Sequence, residues 1–270
     1  VSLFHPEDGR PVFAFPWLGT TVLGTTDLDH KGNLDDEPVI SEAETAYLLE
    51  IASRLFPGSP ISRGDILSTW AGVRPVVTDG TGRAPSKENR EHELRVDRGL
   101  VSIAGGKLTT FRVIAREALT RGMGENAGKM LRPESAPVFQ PAVDSVRPAD
   151  VGHQSWQRLK GFYGPELAQV IASGAMEPVT PNQTSGLLWA ELCWACQQED
   201  VQHLDDLLLR RTRLGLVLPH AGKALLPEIR SHCQPVLGWD DQRWEEEQAR
   251  YLAIHHSAYS MPTREASDAG

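Results

Sequence analysis

The chain has 270 residues, with 27 Lys and Arg against 36 Asp and Glu, so its formal net charge is −9 at pH 7. An acidic balance of this size argues against a general nucleic-acid binder. Three cysteines do not make a disulfide framework and indicate a reducing compartment. No apolar run approaches the roughly 20 residues that span a bilayer. Because the chain opens at Val1 without Met or a signal-peptide pattern, we interpret it as a fragment.

The first 121 residues have mainly the pattern of strands. The β-branched and aromatic runs 11–17 and 20–27 are joined through Leu18-Gly19, which predicts a hairpin. We expect a helix from Ser41 to Pro57-Gly58, because Glu44 completes a capping box with Ser41. Further on, the pattern predicts a strand over 66–77, a mobile loop over 78–92, strands over 93–96 and 100–104, and a helix from 111 to about 121.

The second half has a different character. Residues 122–147 are rich in Gly, Pro and Ser and predict a linker between domains. Strand patterns then disappear, and 148–261 reads as a helical domain, followed by a disordered tail over 262–270. The predicted helices are 148–162, 165–173, 184–198, 200–214, 219–233 and 240–257. The fold class is therefore α+β, with an all-α second half.

The segment Gly105-Gly106-Lys107-Leu108-Thr109-Thr110 lies at a predicted strand-to-helix turn. It follows the apolar run 100–104, which predicts a buried strand, and precedes apolar residues with helical spacing. Two glycines allow a tight turn and close approach by a ligand, and the helix N-terminus favours negative charge. Lys107 and the threonine hydroxyls add donors. The segment is either a site for an electron-rich group or an ordinary glycine turn with a solvated lysine.

Arg74 and His92 are further candidates for a binding site. Arg74 directly precedes Pro75 on a predicted strand, where its guanidinium suits a phosphate or carboxylate. A structural ion pair is the alternative. His92 lies between two glutamates and has the chemistry of a general base. Its alternative is a place in a solvated loop.

Three other motifs favour structural interpretations. Cys193 and Cys196 have redox spacing but lie inside an apolar helical run, so we interpret them as buried helical cysteines. The basic cluster 209–213 is expected to have a structural role, in pairing with Asp205-Asp206 or with a neighbouring domain, with an anionic ligand or membrane surface as the alternative. His255-His256 is assigned to a solvated helix face. No set of residues has metal-ligand spacing.

Four motifs, taken in order, resemble those of the FAD-dependent glycerol-3-phosphate dehydrogenases. They are Gly24-Thr25-Thr26-Asp27, Ala71-Gly72-Val73-Arg74-Pro75, Arg90-Glu91-His92 and Gly105-Gly106-Lys107-Leu108-Thr109-Thr110-Phe111-Arg112. Together with a Leu-Leu-Arg-Arg-Thr-Arg run at 208–213, they are similar to the C-terminal half of that family, from about residue 9 to about 257. Phe111 departs from the family's usual Tyr, which removes a hydroxyl and keeps the aromatic ring.

The resemblance implies oxidation of sn-glycerol 3-phosphate to dihydroxyacetone phosphate, with hydride transfer to FAD and electrons passed to a quinone or oxygen. It implies that 1–121 holds the antiparallel substrate-binding sheet and the chain's return to the FAD domain. The implied catalytic residues are Arg74 and Lys107, and the implied substrate contacts are Arg74 and His92. The implied FAD contacts are Gly105, Gly106, Lys107, Leu108, Thr109 and Thr110. The base stays unassigned.

The resemblance also implies partners and a location. We expect glycerol 3-phosphate, a quinone or other electron acceptor, and a second copy in a homodimer, with no nucleic acid. The expected location is cytoplasmic, with peripheral contact to the inner face of the plasma membrane as a further option. The fragment alone is expected to be inactive and not to retain FAD. Two alternatives stay open: a non-catalytic interaction module, and a related FAD amine or amino-acid oxidase-type enzyme.

Overall fold

The computed structural model describes residues 1–74, 92–141, 144–180 and 186–262. The chain divides into two compact units. One comprises Val1–Thr26, Asp35–Ala71 and Phe139–Gly270, and the other comprises Asp27–Leu34 and Gly72–Val138. The predicted α+β class is confirmed, since small antiparallel sheets precede a helical C-terminal region.

The first unit opens with a three-stranded antiparallel sheet in the order β1 (Ser2–Phe4), β2 (Pro11–Trp17) and β3 (Thr20–Gly24). The predicted hairpin is confirmed, because β2 and β3 are joined by a two-residue turn. Leu18 and Gly19 have φ values of 47° and 83° there, the left-handed conformations that such a tight turn requires.

Helix α1 (Glu42–Leu55) begins as its sequence predicts. The Ser41 hydroxyl accepts from the Glu44 amide at 3.2 Å, and the Glu44 carboxylate accepts from the Ser41 amide at 2.9 Å. This reciprocal capping box satisfies two amides that would otherwise lack partners. Ile51 and Ala52 are fully buried, so one face of the helix packs into the first unit.

The strand predicted over 66–77 is wrong for its described part, 66–74, which is irregular after a 3₁₀ turn at Arg63–Asp65. The backbone of this segment pairs with distant parts of the chain. The Thr69 amide donates to the Tyr259 carbonyl at 2.9 Å, and the Ser68 hydroxyl donates to the Leu216 carbonyl at 2.6 Å. Residues 75–77 and the predicted loop from 78 to 91 lie outside the described residues.

The second unit contains a two-stranded antiparallel hairpin, β4 (His92–Asp97) and β5 (Leu100–Gly105), followed by helix α2 (Phe111–Met123). The elements agree with the prediction, but the burial does not. The run 100–104 was expected to be buried, whereas Leu100 and Ile103 are 67% and 44% exposed. Within α2, whose residues are all described, no side chain is buried, because the described part of the unit places no second layer over it.

The remaining helices follow in chain order. They are α3 (Ala127–Met130), α4 (His153–Tyr163), α5 (Leu167–Ala172), α6 (Trp189–Gln198), α7 (Leu214–Val217), α8 (Leu226–Leu237) and α9 (Asp241–Ile254). The short helix α3 lies inside the predicted linker, and the predicted domain boundaries stay predictions. Residues 263–270 of the predicted tail lie outside the described residues.

The core of the first unit is built mainly by the helical region. Its largest side chains without solvent exposure include Leu192, Leu204, Leu207, Trp244 and Tyr251. The helix predicted over 200–214 is interrupted, because Asp200 and Arg213 adopt left-handed φ values of 51° and 62°. A π-helical segment, Asp206–Arg211, lies between those two breaks.

Two surface predictions of the helical region have different outcomes. Arg210 pairs with Asp205 at 2.5 Å and with Asp206 at 3.0 Å, so the predicted structural role of the basic cluster is confirmed for this residue. His255 is buried, and its Nε2 donates to the Gly215 carbonyl at 3.0 Å, so its assignment to a solvated face is wrong. None of the helices in the described residues is long and apolar enough to cross a membrane.

Candidate active site

The strand-to-helix turn is built around two glycines with positive φ. β5 ends at Gly105, where φ is 74°, and Gly106 follows with φ at 91°. A Cβ atom on Gly106 would stand 2.5 Å from Cδ1 of Ile114, far inside normal contact. Both the conformation and the space therefore require glycine at this position, and its absent side chain lets α2 pack against the turn.

Some of the hydrogen-bond donors predicted for a ligand instead stabilise the start of the helix. A 3₁₀ turn over Leu108–Thr110 leads into α2. The Thr110 amide and hydroxyl both donate to the Lys107 carbonyl, at 3.0 and 2.9 Å. The hydroxyl proton of Thr110 thus stabilises the turn and is not available to a ligand. The donors that remain for a ligand are the Thr109 hydroxyl, the Lys107 ammonium group and the backbone amides.

The described surface around the turn can accept an electron-rich group. Lys107 and Thr109 are exposed, and Leu108 has 88% of its surface exposed. The first amides of a helix lack intrahelical acceptors and lie at its positive dipole end. An exposed ammonium group beside a helix N-terminus therefore suits an electron-rich group.

His92 lies beside this turn and not in the loop that the sequence predicts. As the first residue of β4, it is in register with Gly105 at the end of β5. Its Cβ would be 3.4 Å from a Cβ on Gly106. The ring Nε2 lies 2.8 Å from Oε2 of Glu117 on α2. The pairing of β4 with β5 therefore brings His92, the glycine turn and Glu117 together.

Arg74 is held by a different part of the second unit. Its Nη1 lies 3.8 Å from Oδ2 of Asp27, which connects the Gly-Val-Arg motif with the Gly-Thr-Thr-Asp motif. The Arg74 side chain is 55% exposed and that of Asp27 is 21% exposed. A guanidinium has five N–H donors, so this long contact leaves Arg74 able to bind an anion as well.

Arg112, at the end of the Gly-Gly-Lys motif, has a structural role that the sequence does not indicate. Its two terminal nitrogens donate to the carbonyls of Ala136 and Pro133, at 2.6 and 2.7 Å. Arg116, one turn later, donates to the carbonyl of Arg132 at 2.6 Å. The two arginines thereby fasten the segment 132–136 along α2.

The remaining candidates lie outside this constellation. Cys193 is buried within α6 and Cys196 is partly buried, in agreement with the interpretation as helical cysteines. Burial is the main cause that raises the pKa of Cys193 above its ordinary value, which disfavours a reactive thiolate. Among the described residues, no group of three or more His, Cys, Asp or Glu side chains could hold a metal ion.

Two family models match the chain in succession. Residues 2–118 match the family described as FAD dependent oxidoreductase. Residues 117–244 match the C-terminal domain of alpha-glycerophosphate oxidase. The junction between the two matches lies within α2, close to Glu117.

Similar curated proteins come from bacteria and mammals. Glycerol-3-phosphate dehydrogenase 2 of Mycobacterium tuberculosis is 31% identical over 276 positions, which cover 94% of this chain and 45% of the relative. The glycerol-3-phosphate dehydrogenase of Mycobacterium leprae is 32% identical and covers 90% of this chain and 43% of its own length. The human mitochondrial glycerol-3-phosphate dehydrogenase is 28% identical over 97% of this chain and 38% of the relative. The chain thus spans less than half the length of these relatives.

Proposed function

The chain belongs to the family of FAD-dependent oxidoreductases that contains the glycerol-3-phosphate dehydrogenases, and on this premise we propose that it is the substrate-binding and C-terminal part of such an enzyme. The intact enzyme would oxidise sn-glycerol 3-phosphate to dihydroxyacetone phosphate. The names of the relatives at 31% and 32% identity support this choice of substrate.

The observation that carries the proposal is the turn at Gly105-Gly106-Lys107. Its positive φ values, its exposed lysine and the start of the following helix fit the polar edge of a flavin. Residues 105–110 would hold FAD there, with Lys107 and the helix N-terminus as its charged and dipolar contacts. FAD, when bound, supplies the hydride acceptor for the oxidation.

The chain's own residues would stabilise charge and position the substrate. The backbone at the start of the helix is held by the fold before the reaction, so its amides would stabilise developing negative charge without reorganisation, and the exposed Lys107 would add a positive charge. Arg74, tethered by Asp27 and more than half exposed, would bind the substrate phosphate or the reacting oxygen. His92 would contact the substrate from the same end of the strand pair as the turn, beside Gly106.

Several finer predictions belong to the same proposal. The electrons would pass to a quinone, and the intact enzyme would be a cytoplasmic homodimer with peripheral contact to the plasma membrane.

The direct test joins this chain to the part of the Mycobacterium tuberculosis relative that lies outside the aligned region. Binding of FAD is measured by its absorbance, and turnover by reduction of a dye with glycerol 3-phosphate. We expect dye reduction with glycerol 3-phosphate and none with a panel of amines and amino acids. Bound FAD without turnover on glycerol 3-phosphate would contradict the proposal, and turnover on an amino acid would favour an oxidase of that class.

The role of Arg74 is tested in the same assembled enzyme. Because Arg74→Ala removes a charge-assisted contact, we expect a loss of about 3 kcal/mol or more in transition-state binding, measured from kcat/KM. Arg95→Ala is the matched control, since Arg95 is 76% exposed and pairs with its neighbour Glu93. An Arg74→Ala enzyme with the kcat/KM of the unsubstituted protein would refute the role.

A further inference from the structure

We propose that His92 is the proton acceptor of the reaction and that Glu117 is the positioning residue that prepares it. The inference rests on the proposed function, and it assigns a role to Glu117, which no sequence motif indicates. The inference is based on the contact between His92 Nε2 and Glu117 Oε2, which are 2.8 Å apart. His92 is paired in the hairpin with Gly105, the residue before Gly106.

The carboxylate decides which ring nitrogen carries the proton. An ionised carboxylate only accepts hydrogen bonds, so the neutral ring that faces it must carry its proton on Nε2. Nδ1 then keeps its lone pair, and within the described residues it has no hydrogen-bond partner. The side chain of His92 is 22% exposed, which leaves the ring accessible from one side. The arrangement is that of a base whose tautomer is fixed by a second group.

The position of the pair suits this task. His92 is opposite Gly105 in the strand pair, and its Cβ is 3.4 Å from the Cβ position of Gly106. The base would therefore stand at the same turn whose donors would hold the cofactor edge. Glu117 reaches His92 from two turns along α2, and its other oxygen is 3.8 Å from Arg121. Arg121 helps to hold the carboxylate in place.

The oxidation removes one proton and one hydride from the substrate. The C2 hydroxyl of glycerol 3-phosphate gives its proton to Nδ1 of His92, while the C2–H bond breaks and its hydride passes to oxidised FAD. The C2–O bond becomes a carbonyl. The resulting imidazolium is stabilised by the negative charge of Glu117, and its proton returns to water before the next turnover.

The first measurement needs only this chain. In nitrogen-15 spectra of the neutral side chain, identified by its loss in His92→Gln, we expect a hydrogen-bonded proton on Nε2 of His92. In Glu117→Ala this proton should exchange freely and lose its signal. Glu93→Ala is the control, because Glu93 neighbours His92 and pairs with Arg95 instead. A proton on Nδ1 of His92 in the unsubstituted chain would overturn the proposed orientation.

The second measurement uses the assembled enzyme. Glu117→Ala should lower kcat about 10- to 100-fold, as loss of an orienting partner typically does, with KM unchanged. His92→Gln should lower kcat further, and Glu93→Ala should leave it unchanged. An unchanged kcat in Glu117→Ala, or an effect on KM alone, would overturn the positioning role. If the unsubstituted enzyme binds FAD without turnover, the proposed function fails and the role of His92 as base fails with it. The proton position still shows whether Glu117 orients the ring.

Discussion

Charged groups have different surroundings in two regions of the molecule, the helical region after residue 148 and the strand–turn–helix segment 92–123. In the helical region, Glu191 is 1% exposed and pairs with Arg158, Tyr163 and the Leu188 amide. In the strand–turn–helix segment, Lys107 is exposed and Phe111 has 48% of its surface in contact with solvent. The helical region surrounds the buried carboxylate of Glu191 with its own donors, whereas the other segment leaves its donors and apolar side chains accessible to a ligand or a partner.

The largest effect we expect comes from breaking the buried network of the helical region. Burial alone would lower the pKa of Arg158, yet its hydrogen bonds and charge interaction with Glu191 hold that pKa above the ordinary value. Glu191→Gln removes the charge and leaves Arg158 without its ion-pair partner. We expect the free energy of unfolding to fall by about 3 kcal/mol, measured by urea denaturation with tryptophan fluorescence.

Glu245→Gln provides the control for this substitution. Glu245 is an exposed residue of α9, so the same change of charge should alter the free energy of unfolding by less than about 0.5 kcal/mol. Equal effects of the two substitutions would show that the buried network has no special importance. The contrast between the two regions would then lose its energetic basis.

A smaller effect is expected at the glycine turn. Gly106→Ala introduces a side chain at φ 91° and 2.5 Å from Ile114 Cδ1, and we expect a loss of about 2 kcal/mol in local stability. The measurement is hydrogen exchange of the amides in β5 and α2. Gly99→Ala has a similar φ of 85° but no atom within 4 Å of the new Cβ, so about 1 kcal/mol is expected.

The difference between the two glycine variants isolates the contact with Ile114. Ile114→Ala combined with Gly106→Ala should reduce the effect of the alanine at 106 to that of Gly99→Ala. If Gly106→Ala and Gly99→Ala were equally stable, the close contact between Ile114 of α2 and the turn would be refuted.

The sequence predicts what depends on near neighbours. The turn at Leu18-Gly19, the capping box of Ser41 and Glu44, and the glycine turn before α2 are all confirmed, because each depends on residues within one or two turns of chain. The backbone of Thr69 could not be predicted, since its partner is the carbonyl of Tyr259. The failure of the strand prediction at 66–74 follows from this distant pairing.

The same limit applies to the candidate site. Gly106 and Lys107 are recognisable from their local pattern, and they lie within the residues that match the family described as FAD dependent oxidoreductase. Glu117 is not recognisable, because its contact with His92 depends on the register of β4 against β5 and on the packing of α2. The roles of Arg74, His92 and residues 105–110 stay predictions until the assembled enzyme is assayed.

The smallest effect we expect concerns pH and the buried histidine of the helical region. Burial is the main cause that lowers the pKa of His255 below 6.5, against a raising effect of its hydrogen bond to Gly215. The unfolded chain therefore binds more protons than the folded chain as the pH falls through the range around 6.5, and stability falls with it. His255→Gln keeps a donor for Gly215 and cannot titrate, so its stability should depend less on pH between 7.5 and 5.5.

The comparison with His256→Gln decides whether burial is the cause. His256 is exposed on the same π-helical segment, so its replacement should leave most of the pH dependence in place. Urea denaturation at several pH values measures both variants, and the contribution of His255 cannot exceed the slope of one proton. If both variants kept the full pH dependence of the unsubstituted chain, the loss of stability would arise elsewhere. The helical region would then stabilise His255 to the same extent in both of its charge states.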